Sequence, residues 1–174
     1  KCGQDINSLF QRASLNEEVI ADIKHAYGSL QDGQATEADI AVAVRSSANA
    51  EDLPGLSFAG QQETYLNVRG PDDVVDAVKK CWSSLWTAQA ISYRHQNGID
   101  QGSVAMAVVV QVMVPSEVSG ILFTANPANG ERSEIIVNAS FGLGEAVVSG
   151  QVTPDTWVIN RPDLSIKQKI LGPK

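Results

Sequence analysis

Ten of the eleven residues from Val104 to Val114 are apolar, and this stretch constrains the fold more than any other. Its unbroken part, Val104 to Val110, is seven residues long, far short of the roughly 20 that a membrane helix needs. Rich in valine and stopped by Pro115, it reads as a strand buried on both faces. Such a strand needs sheet neighbours and cover. With 174 residues, 43% of them apolar, the chain has enough material for one large domain or one and a half small ones.

Several segments have the pattern to supply them. Ser14 and Glu17 form a capping box, and Val19, Ile20, Ile23 and Tyr27 recur at helical spacing, so a helix is expected from about Leu15 to Tyr27, ending at Gly28. The polar stretch Gln31 to Asp39 reads as a surface connection. Ile40 to Val44 is a short buried strand that delivers a cation, Arg45, at its end. Ala48 to Gly60 carries the Pro54-Gly55 turn pair and is expected to be a loop, after which Glu63 to Val68 returns to strand character. Pro71 opens a helix whose apolar face holds Val74, Val75, Val78, Trp82, Leu85, Trp86 and Gln89, and Gly98 closes it. The Trp pair reads as core packing in preference to a ligand platform. Beyond Pro115, Ser119 to Ala125 and Glu134 to Asn138 form a meander around the Asn126–Gly130 turn. A glycine loop spans Gly142 to Gly150, and Thr156 to Asn160 pairs with Ser165 to Ile170 around Arg161-Pro-Asp163.

Thirteen basic against twenty acidic residues leave a net charge of −7, which disfavours non-specific binding to nucleic acid or anionic membrane. A bound polyanion must therefore be held locally. Two cysteines, Cys2 and Cys81, without a CxxC pair, and two histidines exclude a disulfide framework and a typical zinc site. A cytoplasmic location is the natural reading. The chain starts Lys1-Cys2-Gly3 without Met and without a signal-peptide pattern, as an excised piece of a longer protein would.

The phosphate loop GxxxxGK[ST] is absent, and Gly142-Leu-Gly-Glu-Ala-Val147 has Val at the third glycine position of the dinucleotide fingerprint. HExxH and GxSxG are absent as well. His25 and His95 lie on expected helices and read as surface or packing residues. Arg45 stands out, because a guanidinium leaving an apolar strand needs an anion or the open edge of the sheet. Its fork suits phosphate oxygens, while an ion pair with Glu51, Asp52 or a distant acid satisfies it equally well. Ser57 to Thr64 sets small residues beside amide and hydroxyl groups, so it could admit an oxyanion to its backbone or be an ordinary loop. Gln111 to Val114 could offer backbone amide and carbonyl groups to an adenine with Met113 against its face, or be plain core strand.

These segments together resemble a known family. Val42-Ala-Val-Arg-Ser-Ser-Ala-Asn-Ala-Glu-Asp-Leu-Pro54, Ser57-Phe-Ala-Gly-Gln-Gln-Glu-Thr-Tyr-Leu-Asn-Val68, Trp82-Ser-Ser-Leu-Trp86, Ala90-Ile-Ser-Tyr-Arg94, Gln111-Val-Met-Val114, Gly120-Ile-Leu-Phe-Thr124 and Gly142 to Gly150 occur in that order. The order is similar to that of the amino-terminal ATP-binding domain shared by phosphoenolpyruvate synthase, pyruvate phosphate dikinase and rifampin phosphotransferase, over about residues 41–160. The resemblance implies an α+β, ATP-grasp-like fold with a mixed, mainly antiparallel sheet and packed helices, present here as a partial domain of 174 residues. By residue, it implies that Arg45 grips phosphates catalytically, that Gly60 and Thr64 lie in the phosphate-side loop, and that Gln111 lies at the adenine end. Gln61 and Gln62 are neighbours of that loop, and Met113 and Val114 are further candidates beside the adenine. Glu145 and Asp155 sit in recurrent motifs and are expected to be structural.

The same resemblance implies ATP and magnesium as cofactors, cleavage of ATP to AMP, and transfer of a phosphoryl group through a histidine to pyruvate, giving phosphoenolpyruvate. Antibiotic phosphotransferase and pyruvate phosphate dikinase are the nearest alternatives, and a noncatalytic nucleotide-binding or interaction module is the alternative of another class. A small-ligand or structural β-rich domain rests on composition alone. Residues 1–39 lack the family's glycine-rich segment with its phosphate-binding lysine, and Lys24, on a helix, is no substitute. Magnesium ligands, the swivelling phosphohistidine domain and the barrel domain are expected outside these residues. The expected metal ligands within the chain are therefore none, and the chain alone is expected to be inactive.

Overall fold

The computed structural model describes residues 2–31, 39–49 and 63–173, and the chain divides into two units, Lys1–Met113 and Val114–Lys174. The first unit contains helices α1 (Cys2–Arg12) and α2 (Glu17–Gln31), strands β1 (Val42–Ala48) and β2 (Thr64–Val68), helices α3 (Pro71–Ser84) and α4 (Ala88–Gln96), and strand β3 (Met106–Val112). The strands form an antiparallel sheet in the order β2-β1-β3. One face buries Val42 and Val44 against Tyr27 of α2 and against Val74, Ala77, Val78 and Cys81 of α3. Trp82 packs on the edge of this cluster, as its apolar spacing predicted.

A single phenol locks the start of β1 in place. Tyr27, 2% exposed, donates its hydroxyl to the Ile40 carbonyl at 2.8 Å and accepts from the Gly70 N–H at 3.0 Å. Gly70 itself, at φ +85°, is in the left-handed region that glycine tolerates best, directly before Pro71 opens α3. Helix α2 runs through Gly28 to Gln31, because one glycine lowers helix stability without ending a helix that packs on a core.

Three sequence expectations for this unit are corrected. Arg45 lies in the middle of β1, because β3 pairs with every residue from Val42 to Ala48 and the ladder has no reason to stop at an exposed side chain. The helix from Pro71 breaks at residues 85–87: Thr87 caps α4 by accepting from the Ala90 N–H at 3.2 Å. At that break Arg94, 1% exposed, donates to the Leu85 carbonyl at 2.6 Å and to Gln101 at 2.7 Å, and its guanidinium lies 5.3 Å from the Trp86 ring centre. Gln89 is consequently exposed. Strand β3 alternates between half-buried and exposed residues, with Val109 at 49% exposure, because helices cover only one side of this sheet among the described residues. Helix α1, which the sequence reading left unassigned, seats Gly3 where a Cβ would come within 2.9 Å of the Trp86 carbonyl.

The second unit is a meander of β4 (Val118–Phe123), β5 (Glu134–Phe141), the short helix α5 (Glu145–Val148), β6 (Asp155–Asn160) and β7 (Ile166–Ile170), ordered β4-β5-β6-β7 and antiparallel throughout. The expected strands and both turns are present. The glycine segment 142–150 is not a plain loop but contains the turn of α5. Asp163 organises the last hairpin by accepting from the Asn160 side chain and from the Ser165 N–H and hydroxyl, which hold its carboxyl down to about 2.

Candidate functional site

Strand pleating sorts β1 into two rows. Val42, Val44 and Ser46 point toward the helices, while Ala43, Arg45 and Ser47 belong to the opposite face, on which Ala43 is buried and Arg45 and Ser47 are exposed. The register then fixes who stands beside whom. Arg45 is flanked by Thr64 on β2 and Val109 on β3, with roughly 5 Å expected between directly opposed Cβ atoms. One row away, Ala43 pairs with Gln111 on one side. On its other side the ladder bulges, so that Leu66 and Asn67 together oppose Ala43, and Asn67 adopts φ +57°, a conformation asparagine tolerates better than most residues. One row in the other direction, Ser47 pairs with Ala107.

The sheet thus places Arg45, Thr64 and Gln111 on one face, though they come from three segments of sequence. All three are exposed, and among the described residues none of their side chains is held in a hydrogen bond or ion pair. Alanines at positions 43 and 107 keep the face shallow on both sides of the guanidinium. A fork of five donors, a hydroxyl and an amide on a shallow face suit an elongated anion with a polar flat end.

Gly60, Gln61 and Gln62 lie outside the described residues, as do Glu51 and Asp52. Met113 follows β3 at half exposure, and its N–H donates to the Ala41 carbonyl at 2.9 Å. That amide is therefore committed to the sheet and is not offered to a base, which corrects part of the adenine expectation. Val114, 68% exposed, is the first residue of the second unit. His25 and His95 are exposed. Lys24 pairs with Asp72 at 2.5 Å. Asp155 accepts from the Gly172 N–H at 2.8 Å, consistent with a structural part, and Glu145 caps nothing with its exposed carboxylate among the described residues.

A cleft of about 450 Å³ lies on the helix side of the first unit, between Asn7 and Phe10 of α1, Tyr65 of β2, and Lys80 and Ser83 of α3. Arg45, Thr64 and Gln111 do not line it. The cleft and the row of Arg45, Thr64 and Gln111 therefore lie on opposite sides of the sheet. Near the cleft, burial and the neighbouring Glu63 push the Cys81 thiol up to about 11, which keeps it protonated and unreactive. Among the described residues no group of three His, Cys, Asp or Glu converges to hold a metal ion, and no helix is long and apolar enough to cross a membrane.

Ser47 stands on the same face as Arg45, a position the sequence reading did not assign. The signal was available: once the strand is taken past Arg45, a period of two puts Ser47 on the arginine's face and Ser46 on the other.

The family model described as the pyruvate phosphate dikinase AMP/ATP-binding domain matches residues 1–174. The phosphoenolpyruvate synthase of Pyrococcus furiosus is 53% identical over 169 residues, covering 97% of this chain and 21% of that protein. A probable phosphoenolpyruvate synthase of Archaeoglobus fulgidus is 51% identical over 98% of this chain and 22% of its own length. The phosphoenolpyruvate synthase of Aeropyrum pernix is 49% identical over 95% and 20%. The chain spans about a fifth of the length of these curated relatives.

Proposed function

Because the chain belongs to the pyruvate phosphate dikinase AMP/ATP-binding domain family, we propose that it is the ATP-holding part of a phosphotransferase that makes phosphoenolpyruvate from pyruvate. The observation that carries the reading is the convergence of Arg45, Thr64 and Gln111, all exposed among the described residues, on one sheet face. In this reading the adenine lies toward Gln111 and the phosphates toward Arg45 and Thr64. The Arg45 fork binds two phosphate oxygens at once, and the Thr64 hydroxyl donates to a third. Gly60, Gln61 and Gln62 complete the phosphate side. Met113 offers its side chain to the adenine, with Val114 following it.

Phosphoryl transfer depends on fixed donors facing the charge that develops on the transferred group, and this is the work given to Arg45. In the complete reaction ATP is cleaved to AMP; one of the two phosphoryl groups released passes through a histidine of a swivelling domain to pyruvate, and the other goes to water as inorganic phosphate. That domain is the proposed partner, and the cytoplasm the proposed location. Magnesium neutralises phosphate charge in such reactions, and its carboxylates are proposed to come from outside this chain. The chain alone should therefore neither hydrolyse ATP nor become phosphorylated.

The test is titration of the chain with ATP, AMP and adenosine, followed by amide shifts in NMR spectra. All three should shift residues around Gln111, with dissociation constants in the millimolar range and little gain from the extra phosphates, because a share of the charged contacts is missing. In the full-length parent, Arg45→Lys should lower activity by roughly ten- to a hundredfold, since a point charge replaces a bidentate fork. Shifts confined to other surfaces, micromolar ATP binding by the chain with strong preference over AMP, or unaltered kinetics of a folded full-length Arg45→Lys protein would refute the assignment.

A further inference from the structure

We infer that Ser47 is a further phosphate-binding residue, extending the Arg45 row away from the adenine end; the inference rests on the reading of the open face as the nucleotide site. The two serines that follow Arg45 are split by the pleat. Ser46 turns inward, where its hydroxyl donates to the Glu63 carbonyl at 3.1 Å. Ser47 turns outward and is exposed, and its hydroxyl has no hydrogen bond among the described residues. Its neighbour across the ladder is Ala107, which has no side chain long enough to cover it.

Direction along the strand decides what Ser47 can reach. Gln111 stands beside Ala43, Thr64 and Val109 beside Arg45, and Ala107 beside Ser47. The three rows therefore advance in one direction, each about 6.6–6.8 Å beyond the last at 3.3–3.4 Å per residue. A nucleotide laid with its base at the Gln111 row and its first phosphates at the Arg45 row has its terminal phosphates directed at the Ser47 row. Asn49, two residues further on, ends the available track. Its side chain donates to the Ser103 carbonyl at 3.2 Å and accepts from the Ala105 N–H at 3.0 Å, clamping β1 to the segment that enters β3. Ser47 is thus the last open polar group on this strand, and a hydroxyl of its size donates to a phosphate oxygen without adding a charge that would have to be neutralised.

The experiment compares Ser47→Ala, Ser47→Thr and Arg45→Ala in the full-length parent protein, by equilibrium binding of ATP and of adenosine. Ser47 is exposed, so folding should be unaffected, and an unchanged circular dichroism spectrum checks it. Ser47→Ala should weaken ATP binding by about tenfold, the loss of one hydrogen bond to a charged group, and leave adenosine binding unchanged. Ser47→Thr, which keeps the hydroxyl, should bind ATP as the parent does. If Arg45→Ala loses ATP affinity while Ser47→Ala keeps it, the inference about Ser47 is wrong and the face remains the phosphate site. If neither variant changes ATP binding, the nucleotide reading of the face fails, and the inference with it.

Discussion

Tyr27→Phe isolates the hydrogen bonds that anchor the site's central strand. The substitution keeps the ring that packs on Val42 and Val74 and deletes only the hydroxyl between the Ile40 carbonyl and the Gly70 N–H. Ile40 is 8% exposed, so its carbonyl has little access to water once the phenol is gone. Gly70 is half-buried, and its N–H can recover part of its loss from solvent. A buried backbone group left unpaired costs about 1–3 kcal/mol, so the pair should cost about 2–4 kcal/mol in all. At an ordinary urea dependence for a small domain this lowers the unfolding midpoint by about 1–2 M. Trp82 and Trp86 report on the first unit, and a Trp157→Phe background removes the signal of the second. Below the transition, β1 keeps its register with β3, and the nucleotide titration should match that of the parent. A midpoint shift under about 0.3 M would mean that water or backbone adjustment replaces the phenol, and that Tyr27 does not anchor β1.

Arg94→Met should destabilise the first unit by about 2–4 kcal/mol, because the Leu85 carbonyl and Gln101 lose their donor inside the α3–α4 break. Arg94→Lys should recover less than half of that loss, since one ammonium cannot reach both partners and stack on Trp86; full recovery in urea melts would contradict the role given to the guanidinium. Cys81 makes stability fall with rising pH: its folded-state pKa is pushed above the ordinary thiol value of 9.0 to about 11, so between those values the unfolded chain loses the proton first and is favoured. The urea midpoint should therefore drop from pH 9 to 11 in the parent by more than in Cys81→Ala, and equal pH slopes in the two would overturn this.

Much of the fold was legible because its signals are local. Valine-rich runs at 42–44 and 104–112, the capping box before α2 and Pro71 before α3 each act over a few residues, and each produced the element expected of it. What stayed hidden depends on contacts between distant segments. The break after α3 is held by Arg94, nine residues beyond Leu85, and the apolar spacing of Leu85, Trp86 and Gln89 carries no trace of it. Strand β3 reads as buried on both sides because alanine and valine fill its open face, a composition that a half-covered strand shares with a fully covered one. Helix α1 has only Ile6, Leu9 and Phe10 to mark its apolar side, too few to distinguish it from a loop.

The same division explains the site. A lone arginine after an apolar run admits a phosphate or an ion pair, and nothing local chooses between them. Antiparallel pairing adds what the strand alone lacks, setting Thr64 and Val109 beside Arg45 and Gln111 one row away on the same face. It was the ordered set of motifs, and not Arg45 alone, that linked these segments before the sheet did. Ser47 went unassigned through a single misjudgement, that the strand stops at its charge. A charge ends a strand only when the ladder would bury it. On a sheet covered on one side, it merely selects which row of the strand can receive an anion, and every second residue beyond it inherits that position.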